Sequence, residues 1–297
     1  MPAGEGLSQR IGRRRPTEDK GPRQKKAVDC LGTRQFPGKR KIMALPEKNA
    51  DAIRVERVYK RMGTRNVLEG IDLSFRRAQT HVLLGPSGCG KSTLLRLMLG
   101  LERADSGRIL VEDLPVTPET QPQLAPRMGY VVQDGGLFPH LSAAGNIALP
   151  ARVRGWPKKR IRARVSELAQ LADLDCSLLQ RYPRELSGGQ KQRVGLLRAL
   201  MLDPAFCLLD EPLGALDPVA RSSLQTALKK IFNAVKKTVI MVTHDIGEAA
   251  FFGHSITLLH RGTIAQKGTM EDLLERPADA YVTEFLSSQR PPPEAKS

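Results

Sequence analysis

Three short stretches of this sequence hold residues that could act on a phosphoryl group. Gly85-Pro86-Ser87-Gly88-Cys89-Gly90-Lys91-Ser92-Thr93 fits the pattern GxxxxGK[ST]. Glycines at this spacing let backbone N–H groups converge on a phosphate, and a helix opening there adds positive potential. Lys91 is placed to reach β- and γ-phosphates, and the Ser92 hydroxyl to bind Mg²⁺. The competing reading is a glycine-rich turn without chemistry. The strand before the motif and the helix after it weigh against that.

Phe206-Cys207-Leu208-Leu209-Asp210-Glu211 is an apolar strand ending in two carboxylates. Asp210, at the strand's C-terminal end, is placed to hold Mg²⁺ through water. Glu211, one residue on, points differently and can polarise an attacking water. Read alone, the pair could equally be an acidic cap on a following helix. Leu186-Ser187-Gly188-Gly189-Gln190 is the third stretch. A Ser followed by two Gly at the start of an amphipathic segment (Val194, Leu197, Leu200, Met201) is a second phosphate-binding helix start. One chain cannot easily bring two such starts to one γ-phosphate, whereas two chains arranged head to tail can.

Elements must hold these groups in place. Ile53 to Val58 and Ile71-Leu73-Phe75 alternate like half-buried strands. Thr80–Leu84 is a short apolar strand running into Gly85, and residues 92–99 read as a helix stopped by Gly100. Strands are expected at 108–112, 129–133, 205–210 and 238–243, the last two buried on both faces by their unbroken apolar runs. Helices are expected at 158–173, where Ile161, Val165, Leu168 and Leu171 share a face, and at 221–236. Strands alternating with helices predict a parallel α/β core. No internal repeat is visible.

The motifs together resemble the nucleotide-binding subunit of an ABC transporter, over residues 52–275. They stand in family order: the phosphate loop at 85–93, Gln133, the signature 186–190, Asp210-Glu211, Leu216-Asp217 and Thr243-His244-Asp245. The resemblance implies a P-loop NTPase fold: a RecA-like parallel sheet core, an antiparallel β subdomain and a helical signature subdomain over about 135–190. It implies ATP and Mg²⁺ as cofactors. Gln133 would link Mg²⁺ and the γ-phosphate to a permease, Asp217 would cross a dimer interface, and His244 would contact the γ-phosphate. Taken singly, these three read as a surface Gln, a capping Asp and a packed His. One departure stands out. The family usually stacks an aromatic residue on adenine just after the first strand, and Val58-Tyr59-Lys60-Arg61-Met62-Gly63 puts Met62 there. Its thioether covers a ring less well than an aromatic face.

The flanks Leu137-Phe138-Pro139-His140-Leu141-Ser142 and Tyr182-Pro183-Arg184-Glu185 resemble prokaryotic importers. Gln133-Asp134-Gly135-Gly136 and Ala249-Ala250-Phe251 resemble the osmoprotectant branch, which takes glycine betaine, choline or proline. The resemblance implies a second copy of the chain, permease subunits and a solute-binding protein as partners. It also implies a peripheral place on the cytoplasmic face of the inner membrane. Another amino acid, a lipid or an anion is the alternative cargo. About 20 residues follow Arg276, read as a short tail (276–297) without a regulatory domain.

Composition narrows the classes. With 40% hydrophobic and 26% charged residues the chain is globular. No run of 18 apolar residues would span a membrane, and no apolar leader opens the sequence. Of the net charge of +16, half lies in residues 1–50, which have five prolines and no sustained apolar period. This segment reads as a solvated tail, with contact to anionic lipid or nucleic acid second and a true start at Met43 third. Lys158, Lys159, Arg160, Arg162 and Arg164 likewise read as a solvated face, with permease or lipid contact as the minority view. A soluble nucleic-acid-associated ATPase is the functional rival. The single cassette and the absence of a heptad run weigh against it, and no specific nucleic acid is expected. Cys30, Cys89, Cys176 and Cys207 lack metal spacing and read as reduced thiols.

Overall fold

The computed structural model describes residues 51–214 and 216–288. The basic segment 1–50, with Met43 and Cys30, and residues 289–297 lie outside the described residues.

Two sheets carry the architecture. β1 (Asp51–Met62) and β2 (Arg65–Arg76) form an antiparallel hairpin. With β4 (Ser106–Val111) and β5 (Leu114–Pro115) they make a four-stranded antiparallel sheet in the order β2-β1-β4-β5. The second sheet contains β3 (Thr80–Leu84), β6 (Met128–Val131), β7 (Phe206–Asp210), β8 (Thr238–Thr243), β9 (Ser255–His260) and β10 (Thr263–Gly268). Its order is β10-β9-β3-β8-β7-β6; β9, β3, β8, β7 and β6 run parallel and β10 is antiparallel at the edge.

The continuous apolar runs of β3, β7 and β8 follow from burial on both faces. Side chains alternate between two cores because the strand period is two. Val82, Leu84, Cys207, Leu209, Val239 and Met241 enter one core. Leu83, Phe206, Leu208, Ile240 and Val242 enter the other, shared with β1, β2 and β4.

The helices are α1 (Lys91–Met98), α2 (Gln121–Leu124), α3 (Ala143–Val153), α4 (Lys158–Leu171), α5 (Gly188–Leu200), α6 (Pro218–Val235), α7 (Ile246–Phe252), α8 (Met270–Glu275) and α9 (Ala280–Ser288). α1 packs Leu94, Leu95, Leu97 and Met98 into the antiparallel-sheet side. α3, α4 and α5 form the helical region on the opposite side, with Ile147, Ile161, Val165, Leu168, Val194 and Leu197 buried together. Among the described residues no helix is long and apolar enough to cross a membrane.

Two expectations are revised. The strand expected to run through Gln133 ends at Val131, because Asp134, Gly135 and Gly136 take left-handed φ of 61°, 73° and 52° that no strand admits. The segment after Arg276, expected as a tail, carries α9, whose Val282, Phe285 and Leu286 are buried. Their i, i+3, i+4 spacing gives that helix one apolar stripe to place on the core.

Candidate functional site

The strand–loop–helix at 80–98 builds the centre. β3 delivers the chain at Gly85, and α1 starts without a side-chain cap because Gly90 holds its N-cap position at φ 107°. Only glycine fits there: an added Cβ would stand 2.6 Å from Leu68 Cδ2 and 2.7 Å from the Val67 carbonyl oxygen. The first N–H groups of α1 therefore keep no side-chain acceptor of their own. Lys91 is buried, 4% exposed, and its ammonium donates to the carbonyls of Gly85 (2.7 Å) and Pro86 (2.9 Å). Cys89 Sγ lies 3.9 Å from that ammonium; burial raises the thiol above its ordinary pKa, against the pull of Lys91.

Asp210 ends β7 beside this loop. Ser92 Oγ donates to its Oδ1 at 2.7 Å and the Tyr130 hydroxyl reaches its Oδ2 at 3.4 Å. Asp210 is 5% exposed and, among the described residues, pairs with no Lys or Arg. A buried carboxylate met by hydroxyls alone is suited to a divalent cation shared with a ligand's oxygens.

Glu211 follows at φ 43°, a left-handed conformation that costs a non-glycine residue about 1–2 kcal/mol. Its N–H still bonds the Val242 carbonyl at 3.0 Å, so the turn comes after the last ladder bond. The kink brings Glu211 Oε2 to 3.4 Å from His244 Nδ1. The residues on either side of His244 belong to a network at the end of β8. Thr243 Oγ1 donates to buried Glu248 at 2.5 Å, and the Asp245 N–H donates to Thr243 Oγ1 at 3.1 Å. Asp245 Oδ1 accepts the Glu248 N–H at 3.0 Å, which caps α7. Burial raises the Glu248 carboxyl above its ordinary range, partly offset by the Thr243 bond.

A cavity of about 380 Å³ lies over these groups, with Met62, Arg65, Ser87, Lys91, Ser92 and Glu211 in its wall. Met62 is thus on the cavity. Tyr59 lies instead over Gly70, where an added Cβ would come 2.8 Å from its hydroxyl. Arg65 was not anticipated: from the start of β2 its guanidinium donates to the Gly88 carbonyl of the 85–93 loop at 2.9 Å. No local pattern marks it.

The structure thus brings together the 85–93 loop, Asp210, Glu211 and His244. It does not bring the other expected residues to them. Ser187 caps α5, its Oγ accepting the Gln190 N–H at 3.3 Å while Gln190 Oε1 accepts the Ser187 N–H at 3.0 Å. This closed capping box is exposed, and among the described residues no hydrogen bond joins Ser187, Gly188, Gly189 or Gln190 to the loop at 85–93. An added Cβ on Gly188 would meet Leu216 Cδ2 at 3.0 Å, so the signature start borders the Leu216-Asp217 turn. Asp217 is exposed just before α6. Gln133 is exposed in the turn 133–136. Two further residues had no local signal. Asn146, fully buried, accepts the Phe138 N–H and donates to the carbonyls of Phe138, Leu141 and Ser142. Arg198 donates to Gly135 and Gly136.

Comparison with known proteins agrees with this arrangement. The ABC transporter family profile matches residues 68–214. The glycine betaine/carnitine/choline transport ATP-binding protein OpuCA of Bacillus subtilis is 41% identical over 80% of this chain. The glycine betaine uptake system ATP-binding protein YehX of Escherichia coli is 41% identical over 79% of this chain and 76% of its own length. The sulfate/thiosulfate import ATP-binding protein CysA of Xylella fastidiosa is 43% identical over 80% of this chain and 68% of its own. This chain spans 62% of the length of OpuCA. Among solved structures, the ATP-binding cassette MJ0796, a dimer in a post-hydrolysis state bound to ADP and Pi, is 30% identical with a TM-score of 0.67. It covers 73% of this chain and 98% of its own.

Proposed function

The chain belongs to the ABC transporter family, and on that premise we propose that it is the ATP-hydrolysing subunit of an importer for osmoprotectants such as glycine betaine, choline or proline. The observation that carries the reading is the division of the site. Residues of loop 85–93 and Glu211 wall one cavity, with Asp210 bonded to Ser92 and His244 beside Glu211, while the helix start at Ser187–Gln190 faces outward, apart from it. A second copy placed head to tail would bring its own Ser187–Gln190 to the γ-phosphate, with Asp217 at the joint.

In this reading the phosphates of ATP lie on the N–H groups of Gly85–Thr93 at the start of α1, with Lys91 turning from its carbonyls to the β- and γ-oxygens. Ser92 and Asp210, with Gln133 arriving from its turn, would hold Mg²⁺, which neutralises charge on the phosphate oxygens. Glu211 orients the attacking water, and His244 beside it contacts the γ-phosphate. The phosphoryl transition state leaves little covalent work, so positioning and charge stabilisation carry the rate. Met62 and Arg65 line the side where the base would rest. Closing and reopening of the pair would drive permease subunits through the Gln133 region, at the cytoplasmic face of the membrane, with a solute-binding protein delivering the cargo. The names of OpuCA and YehX support the osmoprotectant cargo.

Glu211→Gln tests the mechanism. It should abolish phosphate release and trap an ATP-bound dimer visible by light scattering; normal hydrolysis by this variant would remove Glu211 from its role. Uptake of labelled glycine betaine, choline and sulfate in cells with and without the gene tests the cargo. Loss of sulfate uptake alone would overturn the osmoprotectant assignment.

A further inference from the structure

A second cavity lies at the far end of β3 from the phosphate loop. Its volume is about 550 Å³, against about 380 Å³ for the cavity over Lys91. It opens where the two sheets meet, at the ends of β2 and β10 and the starts of β3 and β9. β3 passes this cavity at His81 and delivers the chain to Gly85, about 13 Å further on at about 3.3 Å per residue. Lys267 Nζ donates to the Ser74 carbonyl at 2.9 Å and so ties β10 to β2 across the junction.

The wall of this cavity holds more positive charge than it neutralises. Asp51 and Arg76 are register partners at the end of the β1–β2 ladder, yet among the described residues neither side chain makes an ion pair or a hydrogen bond. Asp272, also in the wall, is already committed. It accepts the Thr269 N–H at 2.8 Å and the Thr269 hydroxyl at 2.9 Å, and it pairs with Arg276. Arg76 and Lys267 therefore share one uncommitted carboxylate, Asp51. The two histidines of the wall have fixed tautomers. His254 Nδ1 accepts the Thr80 N–H at 3.1 Å, so its ring hydrogen sits on Nε2, a donor. His81, 4% exposed, places Nε2 3.0 Å from the Arg76 carbonyl, which can only accept, so Nδ1 is left as an acceptor. Burial lowers the His81 pKa against that bond and the charge of Lys267 lowers it further, which keeps the ring neutral.

These groups select a ligand chemistry. A guanidinium and an ammonium with one opposing carboxylate between them call for an anionic group, and a phosphate suits a planar fork beside a point charge. The volume is that of a small-molecule site and exceeds what a bare oxyanion fills. Asp51 and His81 Nδ1 add acceptors that an oxyanion leaves unsatisfied and that hydroxyl groups satisfy. We propose that this cavity is a second ligand site, separate from the nucleotide cavity, and that it takes a small phosphate ester carrying hydroxyl groups. Arg76 and Lys267 hold the phosphate, while Asp51 and His81 accept from the hydroxyls. The proposal is independent of the cargo and of the dimeric reading above.

Calorimetry on the full chain with ribose 5-phosphate and glucose 6-phosphate tests this. At least one ester should bind with a dissociation constant of about 1 mM or tighter, with no binding of neutral ribose or glucose at that concentration. Inorganic phosphate should bind at least about fivefold more weakly than the ester, for want of the hydroxyl bonds. Arg76→Ala should weaken ester binding by about tenfold or more, the loss expected for a charge-assisted bond. Lys91→Ala, at the other cavity, should bind the ester within about twofold of the parent. Imidazole resonances locate the ligand independently: those of His81 and His254 should move on titration and that of His244 should stay. Failure of both esters to bind, or equal affinity for inorganic phosphate, would overturn the proposal. So would binding that is lost in Lys91→Ala but kept in Arg76→Ala, or a shift confined to His244, since either puts the ligand on the phosphate loop. If Arg76→Ala does not fold, Gln79→Glu decides by adding a negative charge to the same wall. About tenfold weaker ester binding supports the site, and unchanged binding overturns it.

Discussion

The starts of α1 and α5 share a chemistry, and the structure treats them in opposite ways. At α1 the N-cap is a left-handed glycine with no side-chain bond, a buried Lys91 lies beside it, and a cavity opens over it. At α5 the N-cap is Ser187, bonded reciprocally with Gln190 and exposed. The first start has no side-chain cap and lies beneath a cavity, a geometry suited to a small ligand. The second has satisfied part of itself and is open, the state of a surface waiting for a large one. Two glycine-rich helix openings can thus carry different duties: enclosure and capping, rather than the motif alone, decide which.

That contrast can be broken or sharpened by substitution. The largest effect is expected from Lys91→Ala, which should lower turnover by about a thousandfold and abolish single-chain ATP binding; phosphate release and nucleotide fluorescence measure the two. Ser187→Arg should lower turnover by about a hundredfold yet leave single-chain affinity within about twofold. Mixing it with the Lys91→Ala chain should restore turnover that neither has alone. An affinity loss in Ser187→Arg, or a mixture that stays inactive, breaks the contrast. Met62→Tyr should tighten ATP binding by about two- to tenfold and sharpen its preference over GTP, the gain expected for an aromatic stack. Unchanged affinity would move the base away from Met62.

The smallest effect concerns the network behind His244. Burial raises the Glu248 carboxyl above 4.5, so the folded chain holds that proton more tightly than the unfolded one. Its contribution to stability is full below that value and falls as pH rises through the raised pKa. Glu248→Gln should remove that fall. Its melting temperature relative to the parent should rise by a few degrees between about pH 4 and pH 7. A difference that stays flat across that range would show the carboxyl already ionised.

Local pattern carried part of this far. β3 and β8 were legible to the residue because strands buried on both faces need unbroken apolar runs, and the phosphate loop because its glycines and Lys91 are contiguous. The 135–190 helices were visible only where one stripe was long, as at Ile161, Val165 and Leu168. Arg65, Asn146 and Arg198 stayed hidden because their partners are backbone carbonyls or N–H groups, which any residue supplies. For Arg198 and Gly136 the separation is 62 residues, which no window spans. α9 was not legible for a different reason: its nine residues carry a stripe of only three buried side chains, too short to set a helical period.

The ammonium of Lys91, seated on the Gly85 and Pro86 carbonyls, gives the cavity a tenant of its own. In the proposed reading an arriving triphosphate would trade for those bonds instead of adding to them, so its net grip would be weaker than the number of donors suggests. The same trade runs backward after hydrolysis. Once the terminal phosphate has gone, the side chain has somewhere to return, and the departing diphosphate leaves behind no stranded buried cation to hold it back.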